Sequence, residues 1–176
     1  MKQYENEGVI WHQHSNKLME YLLKLWNNKE EPILDLGCGH NFYMTVFTYL
    51  GYDCALGYDS TDLFSKRAII ADITKPLNIE GYEHILSLEV GEHIPKNIEQ
   101  GYFDNLCKGK DLVLSWAHIG QAGVGHINCK KQEDVIFRIE NRGMRLNKEI
   151  TAEMRRAVVG CHCTWFIKNL LYFENV

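Results

Sequence analysis

The sequence predicts an α/β fold built on a doubly wound sheet, and three observations predict it. Short apolar runs of strand length alternate with amphipathic stretches of helical period from residue 12 onward. The first run stops at Gly37-Cys38-Gly39, a glycine turn that leads straight into a helical stretch. The last third carries two further strand-like runs around a helical stretch, which suggests a hairpin-like edge.

Each element follows from its own pattern. Residues 12–28 read as an amphipathic helix, with Leu18, Leu22 and Leu25 at helical spacing, Met19 and Trp26 beside them, and Ser15 as the cap. Pro32-Ile33-Leu34-Asp35-Leu36 is a buried strand ended by the glycine turn. Residues 42–50 form a helix closed by Gly51. Strands follow at 53–58, 67–71 and 84–88. Pro95 opens a helix to Cys107, with Ile94, Ile98, Tyr102 and Leu106 four apart. A fifth strand covers 111–116, and a helix over 130–141 stops at Gly143. Strands at 144–148 and 165–173 flank a helical stretch around 151–158.

Composition sets the outer limits. The 176 residues suit one domain, with no repeat, linker or low-complexity tract. At 45% hydrophobic and 24% charged, the chain is neither disordered, collagenous nor coiled coil. No apolar run approaches the ~20 residues of a membrane span. Met1-Lys2-Gln3-Tyr4-Glu5 lacks the regions of a signal peptide, so a cytoplasmic location without membrane contact is expected. There the six cysteines are expected as free thiols. The net charge of −4 hides an asymmetry: residues 1–129 hold 10 basic and 17 acidic side chains, residues 130–168 hold 9 basic and 5 acidic. The basic third is either a solvated helix face or a positive surface beside a site for an anionic ligand.

The glycine turn narrows the chemistry. Strand–Gly37-Cys38-Gly39–helix presents backbone N–H groups to a cofactor's polar end. Asp35, just before it, could meet an ammonium group. The third glycine of the dinucleotide fingerprint is missing, because Gly39-His40-Asn41 runs into Phe42. Asp59, 20 residues after Gly39, can accept hydrogen bonds from both ribose hydroxyls, or else cap Ser60-Thr61-Asp62. Asp72, after the third strand, could accept an adenine amino hydrogen or simply close a turn. The three carboxylates stand at the C-terminal ends of three strands and converge on one crevice.

Ile33-Leu34-Asp35-Leu36-Gly37-Cys38-Gly39 resembles motif I of the class I S-adenosylmethionine-dependent methyltransferases. Gly57-Tyr58-Asp59, Ala71-Asp72-Ile73 and Ser87-Leu88-Glu89-Val90-Gly91-Glu92-His93-Ile94-Pro95 match later motifs in order and spacing. The resemblance covers about residues 15–120 and is closest to small methyltransferase domains with a Glu-His-Ile-Pro segment after the fourth strand. Glu83-His84 departs from it, because relatives often have an Asp there. The resemblance implies a Rossmann-like seven-stranded sheet of order 3-2-1-4-5-7-6 with the seventh strand antiparallel, and S-adenosyl-L-methionine as cofactor. It places Asp35, Gly37, Cys38 and Gly39 against the methionine part, Asp59 against the ribose, and Asp72 with Ile73 against the adenine. Ser60, Leu88 and Glu89 complete the expected cofactor set. On this basis residues 1–30 are an N-terminal helix or lid, 31–120 the cofactor-binding half, and 121–176 the substrate-facing half.

A methyl sulfonium is already an activated electrophile, so the enzyme must align an acceptor and exclude water. An oxygen or nitrogen acceptor must also lose a proton. Three candidates stand near the expected methyl position: Glu92 and His93 after the fourth strand, and His126 in the Gly-rich loop after the fifth. His126 is favoured over His118 as general base. Glu92-His93 could instead only cap the helix that begins at Pro95. Trp116, His118 and Asn128 are expected to contact substrate, although Asn128 could equally cap the helix near Lys130. The segment Trp11-His12-Gln13-His14-Ser15 could fold over the cofactor. No metal is assigned, since Cys161-His162-Cys163 has the wrong spacing for zinc and suits core packing. Cys38 reads as a small buried residue.

The expected acceptor is a small molecule or a polymer-linked group. The basic residues Arg142, Arg145, Lys148, Arg155 and Arg156 could hold it if it is anionic. Nucleic acid is the weaker choice, since the net charge is negative and no aromatic–basic interleaving suggests base stacking. The Asn/Asp-Pro-Pro-aromatic signature of many amino-base methyltransferases is also absent. Two other classes compete: a nicotinamide-dependent oxidoreductase, disfavoured by Asp35 and the missing glycine, and an inactive cofactor-binding partner subunit. Oligomeric state is left open.

Overall fold

A computed structural model describes residues 13–52, 55–59 and 68–176. Of the residues named above, Met1 to Glu5, Trp11, His12, Ser60, Thr61 and Asp62 lie outside the described residues, as do the first residues of the strands expected at 53–58 and 67–71. The elements run α1 (Asn16–Leu25), β1 (Ile33–Leu36), α2 (Phe42–Tyr49), β2 (Ala55–Asp59), β3 (Ile69–Ile70), β4 (His84–Leu88), α3 (Glu99–Leu106), β5 (Asp111–Ser115), α4 (Gln132–Glu140), β6 (Met144–Leu146), α5 (Lys148–Ala157), α6 (Phe166–Asn169) and β7 (Leu171–Asn175). A 3₁₀ turn at Gly91–His93 follows β4.

The seven strands form one sheet of order β3-β2-β1-β4-β5-β7-β6, as expected. The first five strands pair in parallel, and β7 runs antiparallel to both β5 and β6. The strand order reverses between β1 and β4, so a crevice opens beyond their C-terminal ends.

Both sheet faces are apolar, as a sheet covered by helices on both sides requires. Ile33, Leu86 and Val113 face one layer with Leu18 and Leu22 of α1, Trp26 at its C-terminal end, Met44 and Phe47 of α2, Met154 of α5 and Phe166 of α6. Leu34, Ile85, Leu112 and Leu114 face the other, with Tyr102, Phe103 and Leu106 of α3 and Val135 and Ile139 of α4. Ser15 caps α1 by accepting the Leu18 N–H at 3.2 Å, as the sequence suggested. At the far edge Trp26 Nε1 donates to Asp111 (3.0 Å), and His84 lies between Asp111 (2.9 Å) and Glu31 (2.8 Å).

Two elements depart from expectation. α3 begins at Glu99 rather than Pro95, and Ile98 is left 40% exposed. The Ile94 carbonyl is taken by Asn128 (2.9 Å), so the chain there is held outside the helical path. The expected strand over 165–173 is interrupted by α6, and β7 starts only at Leu171. Phe166 packs into the first core layer, and the Asn169 side chain is drawn to Glu89, which a strand would not allow together.

Candidate functional site

The crevice is built on β1 and the turn that follows it. The Gly37 and Cys38 N–H groups both donate to the Tyr58 carbonyl (2.7 and 3.2 Å), which binds the turn to β2. Gly39 N–H donates to Asp59 Oδ2 at 2.9 Å. Two glycines are dictated by space. Gly37 has φ +86°, and a Cβ there would fall 2.4 Å from Val90 Cγ2. A Cβ on Gly57 would fall 2.3 Å from Asn41 Oδ1 and 2.6 Å from Cys38 Sγ.

Asp35 and Asp59 are the two carboxyl groups at this turn. Asp35 is 4% exposed, and burial followed by the Asp59 charge pushes its carboxyl up to about 8. A cation held beside the pair would reverse that shift. Asn41 Oδ1 is buried beside the turn without a hydrogen-bond partner among the described residues. A buried acid, an acceptor without a donor and an Asp on the second strand fit a ligand with an ammonium group and ribose hydroxyls. Burial pushes the Cys38 thiol well up, so it is a packing group and not a nucleophile.

The structure places the other expected cofactor residues differently from one another. Asp72 is exposed on the turn after β3, where its carboxylate accepts from Thr74 N–H (2.9 Å) and Thr74 Oγ1 (2.5 Å). Those bonds hold its carboxyl below the usual range. Ile73 packs into the second core layer, and Leu88 packs against the first. Glu89 has φ +53° and ties three segments together. Its N–H donates to Ser115 Oγ (2.9 Å), and its carboxylate accepts from Gln121 (2.6 Å) and Asn169 (3.1 Å).

Glu92, His93 and His126 meet at one point, with one ligand atom from each lying within 4.8 Å of the others. Glu92 is fully buried, and its carboxylate makes no well-formed hydrogen bond among the described residues, with the Glu92 and Ala117 backbone N–H groups and the Glu89 carboxyl as its polar neighbours. Burial, with the charge of Glu89, raises its carboxyl well above the usual range. His126 Nδ1 lies 3.2 Å from the Gln121 carbonyl, which assigns the proton to Nδ1 and the lone pair to Nε2. That Nε2 faces Glu92 Oε1 at 3.9 Å. Two acceptors in this position call for a proton or a cation between them. The sequence assigned no metal, but this trio is a donor set that suits a divalent ion.

The loop after β5 is closed rather than open. Ile127 and Asn128 N–H groups donate to the Glu92 carbonyl (both 2.9 Å), and Lys130 N–H donates to Ala117 (3.1 Å). Asn128 sits in a buried polar knot, donating to Ile94 and Glu99 and accepting from Lys130 (3.0 Å). It does not cap α4, whose N-cap is Lys131. Trp116 is a wall of the site. It stacks on Phe103 with ring centroids 5.1 Å apart, donates to the Asn128 carbonyl (2.8 Å), and leaves room only for a glycine at position 91. His118 is exposed. Of the basic residues, Arg142 is held by Asp104 (2.7 Å), while Arg155 donates to the Leu170 carbonyl (2.8 Å). Ser115, Gln121 and Asn169 were missed by the sequence reading; they converge on Glu89 only through the fold.

No family model matches the chain. Over 103 residues it is 31% identical to tRNA U34 carboxymethyltransferases of two Pseudomonas fluorescens strains, SBW25 and Pf0-1. That alignment covers 49% of this chain, and the chain spans 32% of those relatives' length. Solved structures with the same architecture include magnesium protoporphyrin IX methyltransferase from Synechocystis PCC 6803 with bound S-adenosylhomocysteine, at TM-score 0.61 and 16% identity, covering 89% of this chain and 80% of that one. The methyltransferase domain of bacterial CtHen1 gives TM-score 0.64 at 15% identity, covering 90% and 96%. A polyketide-synthase O-methyltransferase of Brevibacillus brevis gives 0.61 at 15%, covering 90% and 72%. Sheet order, turn and comparisons agree: this chain has the Rossmann-like fold of the class I S-adenosylmethionine-dependent methyltransferases.

Proposed function

We propose that the chain is an S-adenosylmethionine-dependent methyltransferase acting on an oxygen or nitrogen acceptor. The observation that carries this reading is the crevice at the strand-order reversal, where buried Asp35 and Asp59 flank the glycine turn. A nicotinamide pyrophosphate would meet a carboxylate there instead of open N–H groups. When bound, the cofactor supplies an electrophilic methyl group. Asp59 accepts hydrogen bonds from ribose hydroxyls, and Asp35 faces the ammonium. Glu89, Trp116 and the closed loop wall the far side and exclude water.

The acceptor's proton has a destination in the Glu92–His93–His126 cluster. His126 Nε2 carries the lone pair and is held in orientation through Nδ1. The burial of Glu92 beside two histidines also supports a second reading, in which Glu92, His93 and His126 would hold a divalent cation that would supply Lewis-acid chemistry to the acceptor. Some matched proteins are named for action on RNA and others for action on small molecules. For this chain we favour a small or polymer-linked acceptor over free nucleic acid, on its net charge of −4. The test is S-adenosylhomocysteine production across an acceptor panel, with and without EDTA. Production that survives EDTA supports a His base, and production restored by added Mn²⁺ or Mg²⁺ supports the cation. Cofactor binding with no production from any acceptor would favour a non-catalytic partner subunit.

A further inference from the structure

A cavity of about 420 Å³ lies where β5 ends and β7 begins, between α4, α5 and α6. Its polar lining includes Lys130, Gln132, Arg155, Lys168 and Asn169. A smaller cavity of about 270 Å³ shares Gln132, Arg155 and Leu171 with it and adds Lys148. No carboxylate lines either one. On a chain of net charge −4, both are thus lined by basic and neutral side chains alone.

The cations differ in how much of their charge is spent. Lys130 is paired with Glu99 at 2.9 Å. Lys168 and Lys148 are exposed and make no ion pair among the described residues. Arg155 stands in the wall common to both cavities. Its Nε donates to Leu170, but Nη2 is buried with no partner among the described residues. The Arg155 guanidinium lines both cavities, with no carboxylate beside it there, so its charge is available to an anion in them.

We propose that the larger cavity holds the phosphate of a small phosphorylated acceptor, with Arg155 and Lys168 as its cationic partners and Lys148 adding charge from the adjoining smaller cavity. Several unbalanced cations suit a dianion better than a single carboxylate. The volume falls within the ~300–1,000 Å³ of small-molecule sites. The cavity also adjoins the transfer site. Asn169 lines it and donates to Glu89, and Trp116 lines it and packs against Gly91. A molecule anchored here by its phosphate would extend its other end toward Glu89 and Glu92. That the bound molecule is the methyl acceptor rests on the proposed function; the anion site itself does not.

The test is an amide ¹H–¹⁵N titration of the full chain with inorganic phosphate, with a nucleoside monophosphate and with a single-stranded oligonucleotide, alongside S-adenosylhomocysteine binding. Saturable shifts at His118, Gln132, Lys168 and Asn169, tighter for the nucleoside monophosphate than for phosphate, are expected. Arg155→Met should weaken that binding by about tenfold or more, the scale of one lost charged hydrogen bond. Lys168→Met, at an exposed position where folding is not at stake, should weaken it severalfold. Neither variant should change S-adenosylhomocysteine affinity. Scattered, unsaturable shifts, or unchanged affinity in both variants, would overturn the site. Preferential oligonucleotide binding that spreads to Arg145 and Arg156 would overturn the small acceptor. Retained phosphate binding without any S-adenosylhomocysteine binding would sink the methyltransferase reading and leave the anion site standing.

Discussion

Gly37→Ala tests whether the turn after β1 is as tightly specified as the geometry says. The new Cβ would sit 2.4 Å from Val90 Cγ2 and 2.7 Å from Cγ1, on a residue with φ +86°. The left-handed conformation costs a non-glycine residue about 1–2 kcal/mol. Forcing a methyl group against packed atoms costs about 1–3 kcal/mol more. Together they amount to roughly 2–5 kcal/mol, against a total stability of about 5–15 kcal/mol for a domain. For a chain of this size each kcal/mol lowers Tm by ~2–4 °C, so thermal unfolding should move down by about 4–20 °C. Relief of the clash must displace either Val90 or the turn, and the turn is held by Gly37 N–H on the Tyr58 carbonyl. S-adenosylhomocysteine binding measured by calorimetry should therefore weaken by about tenfold or more, on the scale of a lost hydrogen bond. A Tm within ~2 °C of wild type together with an unchanged Kd would refute the reasoning.

Three further outcomes follow from the site. Asp59→Ala should weaken S-adenosylhomocysteine by at least ~1 kcal/mol in calorimetry, because it removes the proposed ribose acceptor and the partner of Gly39 N–H; an unchanged Kd would show that Asp59 does not hold the ribose. His126→Ala should lower turnover by about 10²–10⁴-fold with cofactor affinity near normal, and equal activity would leave His93 or positioning alone as the account. Asp35 supplies a pH signature. Its folded value of about 8 lies above the ordinary 3.8, so the folded chain retains a proton that the unfolded chain has lost. Stability from this group is fully present below the ordinary carboxylate value and is lost as pH rises through about 8. Asp35→Asn should flatten that decline in Tm; an identical pH profile would mean that Asp35 ionises normally.

What could be read in advance depended on how far apart the interacting residues lie along the chain. The glycine turn, Asp35 and Asp59 belong to consecutive strand–turn units, so spacing alone revealed their convergence. Boundaries failed where tertiary contacts overrode local pattern. The four-residue period from Ile94 extends a helix on paper, but Asn128 claims the Ile94 carbonyl and the helix starts at Glu99. The apolar run Trp165-Phe166-Ile167 suits strand or helix equally, and the reach of Asn169 to Glu89 decides for α6. The Glu92–His126 pairing was only half legible, because both residues were singled out but their approach to 3.9 Å depends on the loop closing onto the Glu92 carbonyl. The cavity around Arg155 was hidden for the same reason. Its cations come from three separate segments, and a charge count in the basic third could not separate Arg155 from Arg142, which Asp104 holds.

The most direct measurement of the central claim is calorimetric titration of the chain with S-adenosylhomocysteine, with NAD run in parallel. Saturable binding of S-adenosylhomocysteine at one site, weakened in Asp59→Ala, and no heat from NAD is the result that the Asp35–Asp59 crevice predicts. Saturable binding of NAD with none of S-adenosylhomocysteine would contradict it.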